Sequence, residues 1–294
     1  MPEINRYNAK VIHCFIEIMH KLVPHLLLTL LLGLLANSKV RIIKNILIKG
    51  FIWLYKPDLN EAIHSDIEKY SSYNDFFTRK LKYGSRIIDN VNTSFISPVD
   101  GEIVDHGLIE EGQLIQAKKF NYSLEDLIGR DYKSLYSGGY FITIYLAPTD
   151  YHRIHCPFNG QITDSKHLGT SLYSVNKKAQ ESIPYLYIKN ERSFLQIDSD
   201  GFKYSLVSVG ASVVGSIVPF WSTDENFSRK KLIKEWNEGP GQKIQINKGD
   251  ELAYFRMGST VILLFEDSSK LDLDSLKENM LVKFGNKLVS LKNI

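Results

Sequence analysis

Hydrophobic residues are arranged along this chain in three ways, and each predicts a different element. The first is an almost unbroken run, "LLLTLLLGLLA" from Leu26 to Ala36, inside an uncharged window of 17 residues from Leu22 to Ser38. A membrane-spanning helix needs about 20 predominantly apolar residues. This window is shorter and also holds Pro24, His25, Asn37 and Ser38, so it predicts a helix that does not span. It is also a poor secretory leader, because Glu3 and Glu17 sit where a basic region belongs. The second arrangement is periodic. In "KVRIIKNILIKGFIWLY", Ile43, Ile46, Leu47, Phe51 and Leu54 recur at helical spacing, with Lys39, Arg41, Lys44 and Lys49 falling largely elsewhere and Trp53 and Tyr55 closing the segment. An apolar face with a basic flank and terminal aromatics predicts a helix lying in a membrane surface; the alternative is an amphipathic helix packed on the protein's own body.

The third arrangement begins near Ile87, after a stretch from Leu59 to Leu81 that reads as helical, with Ser65 or Asn74 as caps. Short apolar runs are then punctuated by Gly, Pro, Asn and Asp, as in "SFISPVDGEIVDHG", "GYFITIYLAPTDYHRIHCP" and "FLQIDSDGFKYSLVSVGASVVGSIV". Frequent short strands with turn signals predict a sandwich- or barrel-like β core. "YSLEDLIG" is a helical insertion, with Ser123 as N-cap and Gly129 as stop. Lys248-Gly249-Asp250 reads as a hairpin turn, as does Asp100-Gly101. The expected class is therefore α+β: a β-rich catalytic core over residues 63–294, preceded by a helical membrane-associating segment over residues 1–62.

Charge sharpens that division. Of 36 Lys/Arg and 33 Asp/Glu, residues 1–58 hold eight and three, a net of +5, which leaves 28 and 30 for the remainder, a net of −2. A nucleic-acid binder would carry a basic stripe on its folded body; this body is slightly acidic, so nucleic acid is not expected as a partner, whereas an anionic membrane surface is. The two cysteines, Cys14 and Cys156, make neither a disulfide framework nor a metal pattern and fit a reducing compartment.

Three places offer chemistry. "SPVDGEIV" presents Asp100. "DYHRIHCP" presents His152 and His155 at a strand exit; with no further ligand in a recognisable pattern a metal is not expected, which leaves acid–base work or a structural role. The third is "FRMGSTVILLFE", where Gly258-Ser259-Thr260 opens an apolar run from Val261 to Phe265. A glycine there is a bulge or bend, or a reactive step. Serine needs a base to become a nucleophile, and Asp100, His155 and Ser259 hold the parts of a charge relay in unordered form. Ser259 is in no G-x-S-x-G elbow, so an ordinary lipase is disfavoured. Attack of Ser259 on the Gly258 carbonyl would turn the peptide bond into an ester; elimination would then cut the chain and leave a dehydroalanine-like end, which water converts to a pyruvoyl group with loss of ammonia, an electron sink of the kind decarboxylation requires. A serine hydrolase that stays intact, and a non-enzymatic carrier domain suggested by "KGDELAYF" and "PVDGEIV", remain alternatives at this point.

Taken together, "SPVDG", "FFTRKLK", "FITIYLAPTDYHRIHCP", "LYSVN", "LVSVGASVVGSIV" and "KGDELAYFRMGSTVILLF" resemble the bacterial, pyruvoyl-dependent phosphatidylserine decarboxylases of the prokaryotic type I, over nearly the whole chain. The resemblance implies a zymogen that cleaves itself between Gly258 and Ser259 into a β chain, 1–258, and an α chain, 259–294, which stay together as a heterodimer, with homo-oligomerisation of these pairs left open. It implies that Ser259 becomes the covalent pyruvoyl cofactor, with Asp100 and His155 as its relay pair during maturation and His152 delivering a proton after decarboxylation. The substrate implied is phosphatidylserine, joined through its amine as a Schiff base and converted with loss of CO2 to phosphatidylethanolamine in phospholipid biosynthesis. The site implied is the cytoplasmic face of the cell membrane, with the enzyme bound peripherally. Met257 stands where the family often has Leu, a nearly volume-conserving exchange.

Overall fold

The computed structural model describes residues 25–117, 119–169, 171–211, 217–221, 244–256 and 258–292. Residues 1–24, Met257, the "SVVGS" part of the glycine-rich phrase and the "NEGPG" loop lie outside the described residues. Helices α1 (His25–Ala36), α2 (Arg41–Tyr55) and α3 (Tyr73–Phe77) come first. Strands β1 (Ser94–Ile96), β2 (Gly101–Leu108), β3 (Gln113–Gln116), β4 (Phe120–Ser123), β5 (Tyr140–Leu146), β6 (Arg153–His155), β7 (Gly160–Leu168) and β8 (Arg192–Ser199) follow. The remaining strands are β9 (Phe202–Gly210), β10 (Ile217–Pro219), β11 (Ile244–Ile246), β12 (Glu251–Phe255), β13 (Ser259–Phe265), β14 (Leu271–Asp272), β15 (Leu281–Val282) and β16 (Lys287–Leu291). The β-rich α+β class expected from the sequence is the one observed.

An open antiparallel sheet of eight strands, in the order β11-β7-β8-β9-β13-β5-β2-β15, forms the centre. β13 lies in its middle, paired with β9 and β5. Its apolar run is continuous because both of its faces are covered. Val261, Leu263 and Phe265 point into a cluster roofed by two three-stranded sheets, β1-β16-β14 and β10-β12-β6, through Phe95, Val289, Ile154 and Phe255. Ile262 and Leu264 point the other way, into a cluster closed by the β3-β4 hairpin and by short helices at Leu124–Ile128 and Leu186–Lys189. Ser123 caps the first of these, its hydroxyl accepting from the amides of Glu125 and Asp126, as its sequence predicts.

Several local expectations are corrected. The turns at Asp100-Gly101 and Lys248-Gly249-Asp250 are not hairpins: β1 pairs with β16 whereas β2 pairs with β5 and β15, and β11 pairs with β7 whereas β12 pairs with β6 and β10. Each turn carries the chain from one sheet to another, a choice that local turn chemistry does not encode. The stretch from Leu59 to Leu81 is mostly irregular, with a 3-10 turn at Ile67–Lys69 and α3. Their caps are Asp66 and Ser72 rather than Ser65 or Asn74. Here packing overrides helical spacing, because Tyr70, Tyr73, Phe76 and Phe77 turn inward onto Phe51 and Ile48 of α2. That cluster contains residues from both sides of position 62.

Helix α2 does not divide into the faces that its sequence suggests. Its inward face is Lys44, Ile48 and Phe51. Lys44, expected among the lysines reaching for headgroups, is buried, and its ammonium donates to the carbonyls of Tyr70 at 2.9 Å and Ile67 at 3.3 Å. Those carbonyls sit in the irregular segment and need a donor, which a lysine on the facing helix supplies. The outward face is apolar: Ile42, Ile46 and Trp53 are 71%, 66% and 57% exposed. Among the described residues no helix is long and apolar enough to cross a membrane.

Candidate active site

Ser259 opens β13 opposite Leu146 on one side and Gly210 on the other. It is completely buried, and its hydroxyl has no hydrogen-bond partner. The hydroxyls of Thr260 and Thr143 share that condition. Leaving a buried hydroxyl unsatisfied costs about 1–3 kcal/mol, so such groups call for an explanation. The residue before it, Gly258, has φ +36°, and a Cβ there would lie 3.2 Å from that of Ala211. This backbone suits glycine alone. The Gly258–Ser259 bond thus joins a left-handed residue to a buried hydroxyl bound to nothing, at the mouth of a strand held on both sides.

The loop after β5 brings the histidines to this place. Leu146, opposite Ser259, leads into a turn in which the Asp150 carboxylate accepts from the Ala147 amide at 2.7 Å. Burial, with the nearby Asp100 charge adding to it, raises the Asp150 carboxyl to about 6. Two residues on, the backbone carbonyl of His152 accepts from the Phe255 amide at 2.9 Å, four residues before Ser259. His152 is therefore tied to β12, the strand that leads into the Gly258–Ser259 bond. Its Nδ1–H donates to the Asp150 carbonyl at 2.8 Å, which fixes the tautomer, and its buried Nε2 has no partner. Burial pushes its pKa down to about 3, so the ring is a neutral imidazole with an unused lone pair. Its ring centroid is 4.2 Å from that of Phe77.

His155 lies in β6 and is engaged on both nitrogens. Nδ1–H donates to the Gly249 carbonyl at 2.8 Å, and Nε2 accepts from the Tyr151 hydroxyl at 2.9 Å. Burial lowers its pKa. Asp100 is gripped by Arg86, at 2.5 and 3.2 Å, and by the Phe284 amide at 2.8 Å. Asp100 and His155 share neighbours: the Phe284 ring stacks on His155 at 3.7 Å, and the His155 amide donates to Pro98. No hydrogen bond joins Asp100 to His155, or His155 to Ser259. Asp100 and His155 are thus neighbours, with Arg86 on the Asp100 carboxylate and Tyr151 on Nε2 of His155. Among the described residues no group of His, Cys, Asp and Glu could hold a metal.

Sequence reading missed four contributors. Arg86 holds Asp100 and also pairs with Glu61 at 2.8 Å. Arg79 is buried and donates to the Thr149 carbonyl at 2.8 Å, supporting the loop that carries Asp150 and His152. Asp150 and Tyr151 complete the set. Only Arg79 and the loop pair lay in phrases already singled out, "FFTRKLK" and "PTDYHRIHCP"; Arg86 sits in a polar stretch with no local signal.

Two family models match the chain. The family model described as phosphatidylserine decarboxylase matches residues 73–290, and a second model, described as PSD, matches residues 18–56. The chain is similar to the phosphatidylserine decarboxylase proenzyme of Dechloromonas aromatica, 39% identical over 83% of this chain and 86% of that protein. The proenzyme of Azotobacter vinelandii is likewise 39% identical, over 83% and 86%. That of Shewanella amazonensis is 35% identical over 92% of this chain and 96% of its own.

Proposed function

The chain belongs to the phosphatidylserine decarboxylase family, and from that premise we propose that it is a zymogen that cuts itself at Gly258–Ser259 and decarboxylates phosphatidylserine to phosphatidylethanolamine with the pyruvoyl group so formed. The observation that carries this reading is the buried Ser259 hydroxyl with no partner, next to the left-handed Gly258. Other buried hydroxyls, those of Thr260 and Thr143 among them, also lack a partner, so the support lies in the conjunction at one peptide bond of an unbonded nucleophile and a glycine whose backbone can bend. The residues present therefore fit the group. Once formed, it would join the headgroup amine and draw off the electrons released with CO2.

The chain's own residues have distinct tasks. Asp100 and His155 are the relay that takes the Ser259 proton during maturation; their common contact with Phe284 supports the pairing, and release of the Tyr151 hydroxyl would free Nε2. His152 suits a proton shuttle in the finished enzyme: neutral and anchored through Nδ1, it first takes up a proton on its unpartnered Nε2 and then delivers it. The walls around Ser259 exclude water, which protects a reactive carbonyl. Helix α2 brings this site to the lipid. Its outward Ile42, Ile46 and Trp53, with Lys49 and Arg41 beside them, suit the cytoplasmic surface of an anionic membrane, where the enzyme would bind peripherally.

Intact-mass spectrometry of the purified protein tests the proposal. The expected result is two fragments, 1–258 and 259–294, the smaller lighter than a serine-terminated peptide and modified by borohydride in the presence of substrate. A single uncut species that turns over lipid and is labelled by a fluorophosphonate would show a serine hydrolase instead.

A further inference from the structure

The row of residues crossing the sheet at Ser259 extends one strand further than the catalytic groups discussed so far. Residues directly opposite in an antiparallel ladder carry their side chains on the same face. Leu146, Ser259 and Gly210 are opposite one another on β5, β13 and β9. On the far side of Gly210, Arg192 pairs with Val209, so Glu191 falls opposite Gly210 and accepts the Gly210 amide at 2.8 Å. The Cβ of Glu191 is 4.0 Å from the point where a Gly210 Cβ would stand. Within this row, no side chain of the sheet stands between Glu191 and Ser259, because the residue between them is glycine.

Glu191 is 2% exposed, a costly place for a carboxylate. Its Oε1 lies 3.4 Å from Nε2 of His167. His167 pairs with Ser193, two residues from Glu191, and therefore lies on the same face of the sheet. The backbone around Glu191 is fixed. The Asn190 side chain donates to the Gly210 carbonyl at 2.9 Å and to the Tyr173 carbonyl at 2.8 Å. The buried Arg192 guanidinium donates to the carbonyls of Leu127, Asp126, Ile188 and Asn190. A buried carboxylate on a rigidly held backbone thus shares a cross-strand row and a sheet face with the buried Ser259 hydroxyl, with a glycine between them.

We propose that Glu191, backed by His167, is a catalytic residue that receives the ammonium of the substrate headgroup over Gly210 and takes one proton from it. The inference rests on the function proposed above. An ammonium has no lone pair and cannot attack a carbonyl, so the amine must first lose a proton. Here that proton passes from the headgroup nitrogen to a Glu191 carboxylate oxygen, and the nitrogen lone pair is freed facing the group derived from Ser259. The carboxylate also gives the cation a partner in a dry site.

Three variants of the full chain test this, read by the rate at which phosphatidylserine in detergent micelles gives a borohydride-fixed adduct on the α fragment. Hydroxylamine, a neutral nucleophile that needs no deprotonation, reports the carbonyl independently. Glu191→Gln should mature and react with hydroxylamine as the wild type does, yet form the lipid adduct about 100-fold more slowly. Glu191→Asp should recover part of that rate. Gly210→Ala should fold, since the nearest atoms to the new methyl, the Glu191 carbonyl oxygen at 3.5 Å, Leu172 at 3.9 Å and the Glu191 Cβ at 4.0 Å, stand at ordinary contact distance, but should raise KM about tenfold or more by filling the gap. Wild-type adduct rates in Glu191→Gln overturn the proposal. If that variant fails to mature, an unchanged KM in Gly210→Ala overturns it. Wild-type protein with no hydroxylamine-reactive carbonyl has a different signature: it refutes the pyruvoyl reading itself, and this inference with it.

Discussion

Strand β13 and helix α2 are both rich in large apolar side chains, but the fold covers them differently. Every residue of β13 is buried, its two faces filled by two separate clusters of the same chain. Helix α2 is covered on one side only, and that side includes a lysine, while Ile42, Ile46 and Trp53 face outward. A core element finds all its partners within the chain. An element with a lysine pinned inward and isoleucines outward leaves apolar surface that the described chain does not cover, which is the ground for proposing a lipid surface as its partner. Rings link α2 to the loop that carries His152: Phe51 of α2 lies 6.0 Å from Phe77, which lies 4.2 Å from His152.

The comparison can be broken from either end. The largest effect is expected at β13. Ser259→Ala should abolish both cleavage and decarboxylation, because no carbonyl can form; the variant should run as one band on a denaturing gel, and two bands would remove Ser259 from its role. His155→Ala should leave most of the chain uncut for want of a base, and rapid, complete processing would argue against the relay. On α2, the combined change Ile42→Ser, Ile46→Ser and Trp53→Ser should weaken sedimentation with anionic vesicles about 100-fold, at about 1 kcal/mol or more per side chain. Folding should change little, because these are surface positions. Unchanged sedimentation would mean that the outward face is not the docking face. This triple variant is a cleaner probe than truncation, since removing α2 would also strip Phe76 and Phe77 of their cover.

Smaller effects test how α2 is fastened and how the loop titrates. Lys44→Ala should cost about 2–4 kcal/mol, because it leaves buried carbonyls without a donor and opens a cavity. Proteolysis should become faster between Tyr55 and Tyr73 if Lys44 is the fastening. For His152, the folded value of about 3 lies below the ordinary 6.5. Between those values the unfolded chain binds a proton that the folded one refuses, so stability falls as pH drops through that window, by up to about 5 kcal/mol. His155, lowered by burial, acts in the same direction. Asp150 acts oppositely: its value is raised from 3.8 to about 6, so acidification across that range favours the fold. In an uncut Ser259→Ala background, His152→Asn should therefore flatten the fall of Tm between pH 6.5 and 4, and an unchanged slope would contradict the neutral, buried imidazole.

Much of the site was legible in the sequence because its chemistry sits in short phrases. Gly258-Ser259 interrupts an apolar run, and the two histidines follow a strand and a breaker. Arg86, Glu191 and His167 were not legible: each lies far along the chain from Ser259, in local contexts typical of surfaces. The exchange of roles on α2 was hidden for a similar reason. Periodicity says that a helix has two faces, whereas the identity of the inward one depends on where Tyr70 leaves a carbonyl in need of a donor.

Local pattern was enough to determine that this protein has a β-rich core, apolar helices ahead of it and a serine at a strand mouth, since period, turn residues and odd glycines act over a few positions. Tertiary structure alone decided which strands each turn connects, which face of α2 is buried, what holds Asp100, and that Glu191, Gly210 and Ser259 share one cross-strand row. Those are matters of register and cross-sheet packing, and they bring together residues separated by tens of positions that share no local signal.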